Sequence, residues 1–263
     1  MTRTVKTAVR ESFGRAAAGY AVSRVHVGGL DLEAMVEAAG PTSALRGAKL
    51  LDVGTGAGHT AFAFAPHVQS VEALDLTQQM LDQVQAGARA RSLANVRCRL
   101  GDAEALPYPD AGFDIVTSRL CAHHFPDVPR FVREVARVLK PDGAFLLVDS
   151  MAPEDAANDT FFNAFELLRD PSHVRNHSRS QWQAMLGAAG FRSEVLGGWM
   201  LAQPFDAWVE RIGTPPTAVA HLRFLFDHAR EDARREFAIA LDAAGMRTIG
   251  VPCGLIRARL GPG

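Results

Sequence analysis

The sequence predicts an α/β protein built on a doubly wound, mostly parallel seven-stranded sheet, and three observations carry that expectation. Between residues 47 and 150, short β-branched or apolar runs alternate with amphipathic helical stretches, the pattern of parallel strands joined by crossover helices. The first of those runs ends in a glycine turn that leads straight into a helical stretch. A chain of 263 residues, 48% hydrophobic and 22% charged, can bury one large core, or one core plus a small appended lobe.

The elements follow in order. Phe13 to Val27 is apolar but lacks a clear period, and it reads either as a lid or as a helix packed on the sheet. Asp31 to Ala39 is a short helix with Leu32, Met35 and Val36 inward, stopped by Gly40-Pro41. Lys49 to Val53 and Val68 to Leu74 are the first two strands. A helix then opens at Thr77, a residue suited to the N-cap, and Met80, Leu81, Val84 and Ala88 recur behind it at helical spacing. Val96 to Leu100 and Phe113 to Ser118 are strands three and four, the second preceded by the turn-rich Pro107 to Gly112. Val128, Phe131, Val132, Val135, Val138 and Leu139 form the apolar stripe of a surface helix, with charged residues opposite. Pro141-Asp142-Gly143 stops it, and Ala144 to Val148 is strand five. Further on, Phe161 to Leu168 and Gln181 to Ala189 read as helices, and Phe191 to Trp199 and Ile249 to Arg259 as strands.

Composition narrows the function. Lys plus Arg (28) nearly balances Asp plus Glu (29), so no long-range field gathers a polyanion, and nucleic acid is not expected as a partner. Met1 to Arg15 lacks the apolar core of a secretory leader, and no apolar stretch approaches the roughly 18 to 20 residues that span a bilayer. A cytoplasmic protein without a membrane partner is expected, as monomer or homodimer. Cys98, Cys121 and Cys253 lack zinc-finger spacing and read as reduced structural thiols; no metal site is expected.

The strongest chemical signal is Leu51-Asp52-Val53-Gly54-Thr55-Gly56-Ala57-Gly58, after a strand and before a helix. Its glycines let backbone turn tightly or lie against a ligand where a Cβ would collide. Asp75 ends the second strand, where a carboxylate can accept from both hydroxyls of a ribose. Together these features define an adenosine site. A dinucleotide fold wants a further glycine at the position of His59, and the order here is G-x-G-x-G instead. Gly101-Asp102-Ala103-Glu104-Ala105-Leu106-Pro107 then closes strand three with an acid placed to accept from an adenine amine. An NAD-dependent oxidoreductase remains an alternative, although neither Tyr20 nor Tyr108 has the lysine four residues on that a Tyr-x-x-x-Lys dyad requires.

From Leu51 through Asp102-Ala103-Glu104-Ala105-Leu106-Pro107 to Val138-Leu139-Lys140-Pro141-Asp142-Gly143, the sequence resembles the class I, Rossmann-like methyltransferases that use S-adenosyl-L-methionine. The branch it most resembles includes the quinone-biosynthesis enzymes. The flanks, Phe13-Gly14, Tyr20, Ser23, His26 and Leu30 in front and Leu167 to Arg175 behind, resemble a bacterial subgroup of small-molecule methyltransferases. The resemblance implies residues 1–46 as an N-terminal helical lid, and 47–263 as the cofactor-binding catalytic domain with a substrate-pocket insertion at 151–190. It also implies that Gly54, Thr55 and Gly56 lie under the methionine part of the cofactor, Asp75 takes the ribose, and Leu76 and Met80 pack on adenine. Asp102 with Ala103 would read the adenine edge, with Tyr20, Asp52, Gly101 and Arg119 completing the set. Asp142 replaces the first glycine of the usual Lys-Pro-Gly-Gly turn, which should alter that turn alone.

Methyl transfer from a sulfonium is an in-line displacement, so alignment and exclusion of water are the protein's chief tasks, with S-adenosyl-L-homocysteine as product. A hydroxyl or acidic carbon acceptor needs a base, and His123 and His124, just past strand four, are the candidates, or else they only shape the pocket. Asp127 reads as a helix cap. His26, Phe165, Arg169 and His173 are candidate substrate contacts, with surface loop or core packing as the plain alternative for each. A protein that binds the sulfonium without transferring its methyl, as in a cyclisation or decarboxylation, stays open.

Overall fold

Lys49–Val53 (β1) is apolar on both faces because it lies at the centre of the sheet, with every residue after Lys49 buried. The computed structural model describes residues 4–21, 29–241 and 247–261. β1 pairs in parallel with Ser70–Asp75 (β2) on one side and Phe113–Arg119 (β4) on the other. Val96–Leu100 (β3) extends the sheet beyond β2, and Leu139–Ala152 (β5) beyond β4. Arg247–Leu260 (β9) runs antiparallel between β5 and Phe191–Pro204 (β7). The main path is therefore β3-β2-β1-β4-β5-β9-β7, seven strands as expected. Two two-residue strands, His177–Ser178 (β6) and Ala240–Leu241 (β8), attach to β5 and β9. Strand order reverses at β1, and the crevice outside the carboxyl ends of β1 and β4 is where such sheets bind ligands.

Helices cover both faces. Leu30–Ala39 (α2) and His59–Phe64 (α4) contribute to one buried layer, which includes Met35, Ala61 and Phe64. Gln78–Ala90 (α5) buries Met80, Leu81, Val84 and Ala88, the stripe read from sequence. Val128–Val138 (α6) buries its valines and Phe131 in the other layer, and its N-cap Asp127 accepts from the Arg130 N–H at 2.9 Å. Thr42–Leu45 (α3) is a single turn before β1.

The structure departs from the sequence reading in three places. Val5–Ala21 (α1) is a continuous helix whose buried residues are Ala8, Ser12 and Ala17, too small to register as a hydrophobic stripe. β5 starts at Leu139, not Ala144. Its pairing jumps from Phe113↔Leu139 to Ile115↔Ala144, so Pro141-Asp142-Gly143 is a bulge inside the strand and the helix ends at Val138. Last, Phe205–Ile212 (α9), Pro216–Asp227 (α10) and Glu231–Glu236 (α11) intervene between β7 and β9. They pack on Ala156–Arg169 (α7) around Phe162, Phe165, Trp208, Phe226 and Phe237, a third core outside the sheet layers. Arg179–Ala188 (α8) starts with a Ser178–Gln181 capping box. Among the described residues no helix is long and apolar enough to cross a membrane.

Candidate active site

Three consecutive strand ends build one rim. Parallel register sets Val53 beside Leu74 and Asp75 beside Leu100, so the turn after β1, the end of β2 and the start of the loop after β3 share an edge. Gly54 and Gly56 adopt φ of +68° and +53°. A Cβ on Gly54 would come within 2.5 Å of Cys121 Sγ, whereas one on Gly56 would enter open space. The Gly54 and Thr55 N–H groups both donate to the Leu74 carbonyl, tying the turn to β2.

Asp52 lies behind this turn, 1% exposed, and accepts from the hydroxyls of Thr55 at 2.6 Å and Thr117 at 2.8 Å. Burial pushes its carboxyl up against those two hydrogen bonds. Asp75 Oδ2 accepts from the Gly56 N–H and Oδ1 from the Thr77 N–H, each at 2.9 Å. Burial pushes its pKa up to about 6, and the two N–H groups hold it from rising further. At the β3 end, Gly101 packs against Leu74, and Asp102 Oδ1 accepts from the Glu104 N–H at 3.0 Å. Asp102 Oδ2 pairs with Lys6 Nζ at 2.6 Å, and the same ammonium reaches Glu104 Oε2 at 2.5 Å. Burial pulls the Asp102 carboxyl up, but the ammonium and the Glu104 N–H outweigh it and hold it below the usual range.

The rim faces a cleft whose wall includes Gly54, Thr55, Gly56 and Asp75. Leu76, Met80, Asp102 and Ala103 join them, and α1 contributes Lys6, Val9, Phe13 and Tyr20. Asp52 and Gly101 stand behind that wall. The Tyr20 carbonyl accepts from His59 Nε2 at 3.1 Å, and its ring lies 5.5 Å from Phe13. Burial raises the Tyr20 phenol, while the Arg169 guanidinium pulls the other way. At the β4 end, Arg119 lines the cleft and pairs with Asp31 at 2.5 Å, both side chains largely buried. Next to it Leu120, also in the wall, takes a left-handed φ of +52°, strain of the kind that clusters at functional sites. Burial, and then the Asp149 carboxylate, raise the Cys121 thiol well above its ordinary value, which favours the protonated thiol.

The two histidines part company. His124 lines the cleft, with Nδ1 at 3.1 Å from the Ser172 carbonyl and the edge of Phe13 at 4.9 Å between ring centres. His123 is outside the wall, with Nδ1 at 2.6 Å from Asp149 Oδ1. His173 lies behind both, 5.7 Å and 6.3 Å from their rings, with Nε2 on Asn163 Oδ1. Phe165 is fully enclosed in the third core. Arg169 is largely enclosed beside it, its guanidinium 4.9 Å over Trp208, donating to the Trp208 carbonyl and paired with Glu166. Neither reaches the cleft wall, and His26 and Ser23 lie outside the described residues. Among the described residues no three His, Cys, Asp or Glu converge as metal ligands. The sequence reading missed Lys6, Phe13 as a wall residue, Asp149 and Ser172. Phe13 and Ser172 left a signal, as parts of the familiar front and rear segments.

The protein family described as "Methyltransferase domain" matches residues 51–147. The "Uncharacterized methyltransferase YcgJ" of Bacillus subtilis is 44% identical over 233 residues, covering 89% of this chain and 91% of the relative. The crystal structure of a YcgJ protein from the same species superposes with a TM-score of 0.84 at 42% identity, covering 89% of this chain and 99% of the other. A demethylmenaquinone methyltransferase of Deinococcus radiodurans is 34% identical over 161 residues, 60% of this chain and 66% of the relative.

Proposed function

Because this chain belongs to the S-adenosylmethionine-dependent methyltransferases, we propose that the cleft holds that cofactor along the β3–β2–β1–β4 rim and an uncharged, largely apolar small molecule at the β4 end. The observation that carries the reading is the shared cleft: two carboxylates on neighbouring strand ends, with a glycine turn bare of side chains beside them. Family membership sets the NAD-dependent reading aside.

The residues present fit the group. Asp75 accepts from the ribose hydroxyls, and Asp102 from the adenine amine while an adjacent backbone N–H donates to the ring. Leu76, Met80 and Ala103 supply apolar surface for the base, and Gly54, Thr55 and Gly56 leave room for the amino-acid tail. Asp52 acts from behind by bracing Thr55 and Thr117; Gly101 lets Leu74 approach. When bound, the cofactor supplies an electrophilic methyl on a sulfonium. The chain's task is then alignment and exclusion of water. Phe13 and Tyr20 close the cleft from α1, which serves as its lid, whereas α2, in the same expected 1–46 segment, packs on the sheet. Tyr20 and Arg119 shape the β4 end, where the uncharged His124 accepts a hydrogen bond from the acceptor at Nε2 and so orients it toward the methyl.

Acceptor charge follows from pairing. Both the lysine and the arginine in the described wall are engaged, Lys6 with Asp102 and Glu104, and Arg119 with Asp31, so an acceptor carboxylate or phosphate would meet a cation already committed to a carboxylate there. Val9, Phe13, Leu120 and Phe125 favour an apolar body. His173 and the 151–190 insertion shape this end from behind, and Phe165 and Arg169 support it through the third core.

The test has two parts. Thermal-shift titration should show saturable stabilisation by S-adenosylmethionine and S-adenosylhomocysteine but not by NAD. Label from the tritiated methyl group should then appear in neutral phenolic, enolic or amine acceptors and not in phosphorylated ones. Absence of any response to either S-adenosyl compound defeats the proposal; turnover of a small molecule without methyl consumption would favour the sulfonium-binding alternative.

A further inference from the structure

We propose that Asp149 and His123 are a positioning pair that keeps His124 uncharged and directs its Nε2 lone pair to the cleft, an inference that rests on the reading of that cleft as the methyl-transfer site. Asp149, on β5, is 1% exposed. Its carboxylate accepts from His123 Nδ1 at 2.6 Å, from the His123 N–H at 3.1 Å and from the Ser150 N–H at 2.8 Å. Among the described residues no lysine or arginine forms an ion pair with it, so the His123 imidazolium is the cation that neutralises this buried charge. The His123 carbonyl in turn accepts from the N–H groups of Val174 at 2.9 Å and Arg175 at 3.1 Å, which fixes the residue from the other side.

The His124 ring centre is 4.3 Å from that of His123, too close for two buried positive charges. Its Nδ1 faces the Ser172 carbonyl, which can only accept, so the proton sits on Nδ1 and the lone pair on Nε2. Ser172 is itself clamped by Asp170 Oδ1, which accepts from its N–H at 2.9 Å and its hydroxyl at 2.7 Å. The electrostatics agree with this geometry. Burial lowers His123, but Asp149, with Glu166 and Asp170 behind it, raises it on balance. His124 is driven down to about 4, by burial first and the His123 charge second, although Asp170 pulls it up. His173 falls to about 2, with burial foremost, then His123, His124, Arg169 and Arg175. Three imidazoles thus carry one positive charge, held on the ring that touches the carboxylate and lies off the cleft wall. Neighbouring titratable groups pushed apart in this way have divided roles.

The experiment is histidine-selective ¹⁵N and ¹³C NMR on the full chain, free and with S-adenosylhomocysteine, across about pH 5 to 8. We expect His123 to titrate above His124, and His124 to remain neutral with hydrogen on Nδ1. In Asp149→Asn the His123 midpoint should fall and that of His124 rise; Asp149→Glu should restore the order. S-adenosylhomocysteine affinity should stay within about twofold in both variants, a sign that the fold survives. Hydrogen on His124 Nε2, or His124 titrating above His123 in the unmodified protein, overturns the proposal without any variant. So do unmoved midpoints in a folded Asp149→Asn. Cofactor binding by the unmodified chain is read in the same samples, so a failure of the cleft assignment is told apart from a failure of the histidine order.

Discussion

The rim lines the cleft and the cap stands behind it, and the two are made by different physics. On the rim, the acids are held by backbone N–H groups of the strand-end turns: Asp75 by those of Thr77, two residues on, and of Gly56 in the neighbouring β1 turn, and Asp102 by that of Glu104. In the cap, aromatic side chains from α7, α9 and α10, with Phe237 just past α11, form a core on β9 out of segments far apart in the chain. The rim is therefore a local motif that a short window of sequence can specify. The cap exists only once the chain has folded, and its substitution should cost stability before it costs cofactor affinity.

The largest expected effect tests that division. Phe165 is fully buried, with the rings of Trp208, Phe226 and Phe237 at 6.0, 5.3 and 5.4 Å. Phe165→Ala should cost about 3–5 kcal/mol, the usual penalty for deleting a buried aromatic, seen as a lower urea midpoint. While the variant is folded, its S-adenosylhomocysteine affinity should match that of the parent within about twofold. An affinity that collapses with the stability would show that rim and cap are one unit.

The next effect belongs to the rim alone. Asp75→Ala removes the acceptor for two hydroxyls and strands the Gly56 and Thr77 N–H groups, so the S-adenosylhomocysteine Kd should rise about a hundredfold by calorimetry. The pH dependence has a definite sign. Burial holds the Asp75 pKa at about 6 in the free protein, whereas hydroxyls that donate to it favour the ionised form. Affinity should be full above about pH 6 and fall by up to tenfold per unit below it. Asp102, held below the usual range by Lys6 and the Glu104 N–H against the pull of burial, contributes no break there. A flat profile through pH 6 would place the ribose elsewhere.

The same division explains what the sequence disclosed. The limits of β1 and β3, the α5 and α6 stripes and the Asp127 cap were legible because each depends on neighbours within a turn or a strand. α1 was obscured by its stripe of small residues. The bulge at Pro141-Asp142-Gly143 was read as a turn because the same residue types serve both. α9 was within reach, since Phe205, Trp208, Val209 and Ile212 recur at helical spacing. The site was harder. An aromatic run such as Phe161, Phe162 and Phe165 has the same period whether it lines a pocket or fills a core. Nothing local distinguishes His123 from His124, because their difference is made by Asp149 and Ser172, which belong to other elements.

The smallest effect concerns a charged contact between the rim and α1. Lys6 bridges Asp102 and Glu104 from α1, and Arg10 adds a 3.4 Å hydrogen bond to the Leu76 carbonyl. Lys6 and Asp102 are each about one-third exposed, so the pair is partly screened and contributes little to net stability. Its ammonium also sits on the carboxylate oxygen that the adenine amine would approach. Lys6→Ala therefore loosens the lid and frees an acceptor at once, and the two effects oppose each other in Kd. They do not oppose in rate. Stopped-flow exchange of S-adenosylhomocysteine should speed up severalfold in both directions, with Kd moving less than about threefold. In the unmodified protein, added salt to about 0.5 M should reproduce most of that acceleration, since screening weakens the same contact. Exchange that ignores both salt and Lys6 would mean that α1 does not move with the cofactor, and that the helix belongs with the rigid rim.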